Sequence, residues 1–550
     1  MLDLLIRGAN VVDGSGAKSF TADVAVKDGR IVELGAHHGP RREAAASTIE
    51  ANGLALMPGI VDVHTHYDAQ VTWDPTLSPS VALGVTTAVM GNCGFGIAPC
   101  PEHSRETLLR NLSVVEGMDV EALLAGTRWE FESFPEYLAM LERLRPYANV
   151  AVLAGHSTIR AAVMGEEAST RAQPTEDEGI AMKAILRDAL DAGAAGFASS
   201  FSPNHSGWGG QPMPSTIASY EELAGLVRVL GEKRRGVFMM ATGPSVTPEI
   251  MERFAAETGR PAFINTVLTM YNRALPERAL QMYERCSQAL ARGHEVYIQT
   301  ACQPLSFDFT LREPYILYSH DAFDRVKPAA PDARRAIYQE AGFRRRLREN
   351  FRNPREGILF YGDWSQVEHD GEPVTELAKG QGKDPLDYVF DLPLDAQLVA
   401  KLFQNDDAGV APLLKHPASV VALSDAGAHL IYFCEAGFGL HFLAHWVRET
   451  GTFTLEEGVR RLTSDPARKF RIPERGLIAP GYHADLLLFD PAAVGVTRME
   501  KARDLPAGGT RMVRRPRGVH GVWVNGVQVF DGERYAALDC GPGEVLRRFE

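Results

Sequence analysis

Apolar positions along the 550-residue chain fall into two textures. At the N-terminal end, "LLIRGANVVDGSG" and "ADVAVKDGRIVELG" carry β-branched runs broken by Gly and Asp-Gly turns, which predicts short strands in tight turns over residues 1–57. The same texture returns in "ADLLLFDPAAV" (484–494) and "RGVHGVWVNGVQVFDGER" (517–534), with Asn-Gly and Asp-Gly hairpin signals. Two β-rich ends around a long middle predict one small β domain assembled from residues 1–57 and 475–550.

The middle alternates instead. Short apolar runs, "GVTTAVMGN" (84–92), "NVAVLAGH" (149–156), "GAAGFASSF" (193–201), "GVFMMAT" (236–242), "PAFINTVL" (261–268), "HEVYIQTA" (294–301) and "ASVVALSDA" (418–426), are separated by helical patterns. One helix is well marked. Thr175 with Glu178 forms a capping-box pattern, Ile180, Met182, Ile185, Leu186 and Leu190 supply an apolar face, and Gly193 ends it. With the run that ends in "VDVHTH", eight strand candidates lie in residues 58–474, an α/β pattern that predicts a (β/α)8 TIM barrel. Residues 302–417 are too long for one βα connection and read as a helical insertion that shapes or covers the barrel mouth.

Composition narrows the class. A formal charge of −13, from 57 basic and 70 acidic residues spread along the chain, excludes the clustered basic patch of a nucleic-acid binder. The start, "MLDLLIRGANVVDGSG", lacks the pattern of a signal peptide, and no run of about 18 apolar residues suits a membrane span. Six cysteines, at 93, 100, 286, 302, 434 and 540, are few and scattered. They read as thiols of a cytoplasmic protein.

Candidate chemistry begins at "VDVHTHYD". Residues i and i+2 of a strand share a face, so His64 and His66 can both project inward, with Asp62 in the same parity. Two imidazoles at that spacing can chelate one divalent metal, or be a structural pair. Asp425, in "SDAGAH" at the end of the last barrel-like strand, can ligate a metal and take a proton from water, or cap a turn. Cys93, in "GNCGFG" after the second strand, can bind zinc as a thiolate, or be a buried apolar cysteine. No phosphate-binding G-x-x-x-x-G-K-[ST] loop and no G-x-S-x-G elbow is present.

These pieces resemble a known family. "GLALMPGIVDVHTHYDAQVTWDP", "GVTTAVMGNCG", "SDAGAH" and "GLIAPGYHADLLLFDP" together are similar to the amidohydrolase superfamily, in the branch of the N-acyl-D-amino-acid deacylases. The resemblance implies a TIM barrel with a composite β-sandwich from both termini, and a zinc centre at the C-terminal mouth. It matches His64 and His66 to first-strand metal ligands, Cys93 to the cysteine ligand and Asp425 to the last-strand aspartate. A homo-oligomer is a further expectation from the family.

The sequence also departs from that family. Its members usually add a histidine at the ends of strands five and six, but "GVFMMATGPS" and "PAFINTVLTM" contain none. Three arrangements stay open. One divalent ion, zinc rather than another metal and one rather than two, sits on His64, His66 and Asp425 with Cys93 at or beside it. Alternatively, a loop histidine, His205 or His429, substitutes for a missing ligand, or the site binds metal poorly. His156, Arg160, His205 and His429 are candidate substrate contacts, Arg160 because a guanidinium grips a carboxylate. The expected function is metal-dependent hydrolysis of a small-molecule amide, carboxylated as in an N-acyl-D-amino acid, with Asp425 as base and acid. The rivals are a cyclic amide or imide hydrolase, a one-metal lyase or isomerase, and a degenerate ligand-binding barrel.

Overall fold

The computed structural model of this chain describes every residue except 36–43, 203–204, 244, 266–268, 354–357 and 432. Residues 266–268, the end of the sixth apolar run, thus lie outside the described residues.

Eight strands form one parallel sheet, each beside its neighbour in chain order. They are β1 (Ile60–Asp62), β2 (Val85–Met90), β3 (Asn149–Gly155), β4 (Gly196–Ser200), β5 (Val237–Ala241), β6 (Ala262–Asn265), β7 (Val296–Thr300) and β8 (Ser419–Val421). Register runs from Ile60 opposite Val85 to Ile298 opposite Ser419. The two ends meet beyond β1 and β8, where Thr65 bridges Ala426 in parallel and His66 N donates to Ala426 O at 2.7 Å. The sheet therefore curls into a TIM barrel. Strands β2, β3, β4, β5 and β7 are buried along their whole length. Covered on both faces, they need continuous apolar runs rather than alternation, which is how the sequence reads.

Helices cover the outside. The ones used below are α1 (Arg105–Val115), α2 (Phe134–Leu144), α3 (His156–Met164), α4 (Glu176–Ala192) and α5 (Tyr220–Lys233). Helix α4 starts in the capping box of Thr175 and Glu178 and stops at Gly193, whose φ of 108° is open to glycine. Its buried stripe is Met182, Leu186, Ala189 and Leu190. Ile180, expected on that stripe, is 54% exposed. At 3.6 residues per turn it points about 200° away from Met182, across the helix.

Both termini build the β domain. An eight-stranded sheet joins Leu2–Val11, Phe20–Lys27, Arg30–Gly35, Ala45–Glu50 and Ala55–Pro58 to Leu486–Phe489, Val519–Val524 and Val527–Phe530. The seam between the two ends pairs Met57 with Leu487. Its apolar core includes Ile6, Val24, Leu56, Leu486 and Trp523. Asp485 ties this domain to the floor of the barrel: it pairs with buried Arg475, accepts from Asn149 Nδ2 of β3 at 3.1 Å, and its carbonyl accepts from Gly59 N.

Residues 270–281 and 303–413 form a second compact unit. The insertion expected to be helical is mixed. Alongside short helices it holds an antiparallel sheet of Leu305–Phe309, Leu398–Phe403, Val367–His369 and Glu372–Pro373. The period-two segments were short and interrupted, so the helical signals dominated the pattern. Among the described residues, no helix is long and apolar enough to cross a membrane.

Candidate metal centre and active site

The centre starts from the extended chain that leaves β1. His64 and His66 share one side, both buried, with Nε2 atoms 3.3 Å apart. Asp425 reaches them from the chain leaving β8. Its Oδ1 lies 3.1 Å from His64 Nε2 and 3.6 Å from His66 Nε2. Asp425 has a φ of 46°, a left-handed conformation that asparagine and aspartate tolerate better than most residues. The neighbouring Ser424 hydroxyl holds the turn, donating to His64 O and accepting from Ala426 N.

Cys93 comes from the turn after β2. Its own φ is 55°, and a Cβ on the preceding Gly91 would meet Leu153 O at 2.3 Å, so only glycine fits there. The turn swings Cys93 Sγ to 3.7 Å from His64 Nε2. Donor atoms of His64, His66 and Cys93 all lie within 4.8 Å of one another.

Three residues that sequence reasoning missed orient these groups. Gln299, on β7, donates its amide to Val63 O at 3.0 Å, so its Oε1, 2.7 Å away, accepts from His64 Nδ1. Glu116, just after α1, places Oε1 3.2 Å from His66 Nδ1. With both Nδ1 protons engaged, each ring turns an Nε2 lone pair inward, as metal-ligating histidines do. Asn265 ends β6, where a histidine is expected in the family. Its Nδ2 lies 3.3 Å from His64 Nε2 and 3.6 Å from Cys93 Sγ. A polar residue ending an apolar run was a readable signal for Asn265 and Gln299. Glu116 carried no such signal.

The charges call for a cation. Burial pushes the His64 imidazole down, but Asp425 and Cys93 more than reverse this and raise it to about 10. Burial also opposes protonation of His66, and Glu116 with Asp425 raises it well above its ordinary value. Burial raises the Asp425 carboxyl, yet His64 and His66 hold it well below the usual carboxylate range. Burial likewise raises the Cys93 thiol, and bonds from the two histidines lower it overall. Two imidazolium rings facing each other across 3.3 Å repel. A divalent ion satisfies both lone pairs, the carboxylate and the thiolate at once, so the donor set fits a metal such as zinc.

The remaining candidates divide. His205 lies close by: its Nδ1 is 2.7 Å from Ser200 Oγ and its ring meets Phe95 edge-on at 5.0 Å. Burial and the charges of His429 and His66 push it down to about 3, so it is neutral. His429 has a φ of 52°, lies tilted against the Phe433 ring at 5.0 Å, and donates its backbone N–H to the carbonyl of Glu116. His156 and Arg160 are drawn into another network. His156 bonds Ser199 Oγ at 2.8 Å and Glu222 Oε1 at 2.7 Å. Fully buried Arg160 pairs with the same Glu222 and donates to the carbonyls of Ala168, Arg171 and Ala172. The expectation of Arg160 as a carboxylate grip is therefore corrected: Glu222, from α5, already occupies the guanidinium.

Residues 47–530 match the amidohydrolase family. The chain is 30% identical over 555 residues to an N-acyl-D-aspartate deacylase of Alcaligenes xylosoxydans xylosoxydans, covering 99% of this chain and 95% of that protein. A solved N-acyl-D-glutamate deacylase from Bordetella bronchiseptica, complexed with zinc and a phosphonate mimic of the tetrahedral intermediate, is similar at a TM-score of 0.64. It is 27% identical and covers 99% of both chains. A D-aminoacylase structure, described by a binuclear centre with one-metal activation and second-metal attenuation, gives a TM-score of 0.66. It is 25% identical over 100% of both chains.

Proposed function

Because the chain belongs to the amidohydrolase family, we propose that it is an N-acyl-D-amino-acid deacylase working with one zinc ion. The family makes it a metal-dependent hydrolase of C–N bonds other than ordinary peptide bonds. The observation that carries the finer reading is the cluster of His64, His66 and Cys93 donor atoms within 4.8 Å of one another, with one oxygen of Asp425 beside both imidazoles. Asn265 at the end of β6 supports one ion over two, because a carboxamide nitrogen brings no lone pair to a second centre. The similar D-aminoacylase, described as activated by one metal, agrees with that count.

His64, His66, Asp425 and Cys93 would hold the ion. When bound, it polarises the scissile carbonyl and lowers the pKa of water toward neutrality. The chain supplies the rest. Gln299 and Glu116 fix the imidazole tautomers and ring angles. Asp425, ionised, accepts the proton of the attacking water and returns it to the leaving nitrogen. His205, neutral and held by Ser200, is a donor or acceptor for the substrate amide beside Phe95.

The test is hydrolysis of N-acetyl-D-amino acids by zinc-loaded protein, with the L-enantiomers as controls, in H2 18O. Free D-amino acid with solvent 18O in the acetate is the expected result. Release of amine without 18O in the acetate, or turnover of neither enantiomer, would sink the reading.

A further inference from the structure

A cavity of ≈ 210 Å³ beside the centre has no part in the chemistry above. Phe95, Thr107, Leu108, Leu112, Ala161 and Met213 make much of its wall. Two of these join it to the site. Phe95 follows Cys93 by two residues and packs on His205, and Met213 N donates to His205 O at 3.4 Å. Ser157 and Thr158, in the first turn of α3, also line it, which puts it at the C-terminal end of β3, on the mouth side of the barrel.

The wall is the wrong place for an anion. Among the described residues it contains no lysine or arginine, and its ionisable members are His103 and Glu166. Arg160 of α3 is already held by Glu222. An N-acyl amino acid has one charged half and one apolar half, and a carboxylate seeks a guanidinium or ammonium. The half that suits this wall is the acyl chain. At roughly 30 Å³ per water-sized group, the volume takes about seven methylene-sized groups.

We propose that this cavity receives the acyl chain and makes the protein select medium-length apolar N-acyl groups over acetyl. The inference rests on the deacylase reading and adds the substrate class to it. Substrates sharing one D-amino acid and differing only in acyl length test it. The expected kcat/KM is at least about tenfold higher for octanoyl than for acetyl, within what a few methylenes yield in an apolar pocket. Ala161→Trp and Thr107→Trp fill the cavity from two different helices, α3 and α1. Each is expected to abolish the octanoyl advantage while N-acetyl turnover stays within about threefold.

An unchanged octanoyl-to-acetyl ratio in both folded variants overturns the proposal. So does a loss of selectivity among amino-acid side chains at fixed acetyl, which would assign the cavity to the other half. If the native enzyme turns over neither substrate, the deacylase reading fails. Calorimetry with sodium octanoate then decides the cavity separately: binding lost in Ala161→Trp supports it, and no binding to the native protein refutes it.

Discussion

Asp425→Asn is the sharpest probe of this centre, because it removes a charge and a proton acceptor while leaving the shape almost intact. The carboxylate oxygen sits 3.1 and 3.6 Å from two Nε2 atoms. At an effective dielectric of 20, each contact with a unit positive charge is worth about 5 kcal/mol. The substitution therefore weakens cation retention as well as proton transfer, and the two must be separated by assay at saturating zinc with metal content measured in parallel. A lost general base lowers kcat by about 10²–10⁴, or roughly 3–5 kcal/mol in barrier. KM should move little, since no uniform binding contact is removed. Asp425 is held well below the usual carboxylate range, so its acid limb in the pH–rate profile lies below that range and is absent in the variant. A kcat within about threefold of the native value at full metal occupancy would refute the assignment. So would activity that returns fully once zinc is restored.

Three other substitutions test the surroundings. Glu116→Gln removes the carboxylate behind His66 and should weaken zinc affinity about 10–100-fold, read by competition with a chromogenic chelator; unchanged affinity would separate Glu116 from the centre. Asn265→His adds an imidazole beside Cys93 and should raise bound zinc above one per chain or tighten it about tenfold, read by elemental analysis and dialysis. Asp62 is fully buried, and burial, only partly offset by bonds from Ser424 and His64, pushes its carboxyl up to about 7. Its folded pKa exceeds the unfolded value of 3.8, so its contribution is fully present below pH 3.8 and lost as pH rises through 7. The gap of about 3 units corresponds to roughly 4 kcal/mol. Asp62→Asn should flatten the decline of metal-free stability between pH 4 and 8, measured by denaturant melts in chelator; an identical slope would refute the shift.

The buried ion network around Glu222 bears on how the barrel is held. His156 and Arg160 both bond this one carboxylate, which is almost fully buried. Burial raises Glu222, and its two partners lower it overall. Removing one member of such a group leaves a buried charge uncompensated, which is far more disruptive than replacing the whole set. The network ties the start of α3 to the start of α5.

How much of this was legible beforehand depended on range. The eight apolar runs, the capping box of α4 and the i, i+2 spacing of His64 and His66 are local properties, set by strand and helix periodicity within a few residues. They were enough to name the barrel and to put two imidazoles on one face. The β-rich ends likewise announced that they belong together, since each alone leaves an apolar face uncovered. The orienting partners are another matter. Gln299 lies 235 residues from His64, and Asn265 lies 201 residues away. Only closure of the barrel brings β6 and β7 against β1. Arg160 shows the same limit from the other side. Its position after β3 suggested a free guanidinium at the mouth, but the helix after the next strand supplies Glu222 and turns it inward. Periodicity determines which face a side chain takes; which charge waits on the opposite face is decided only when the strands and helices pack.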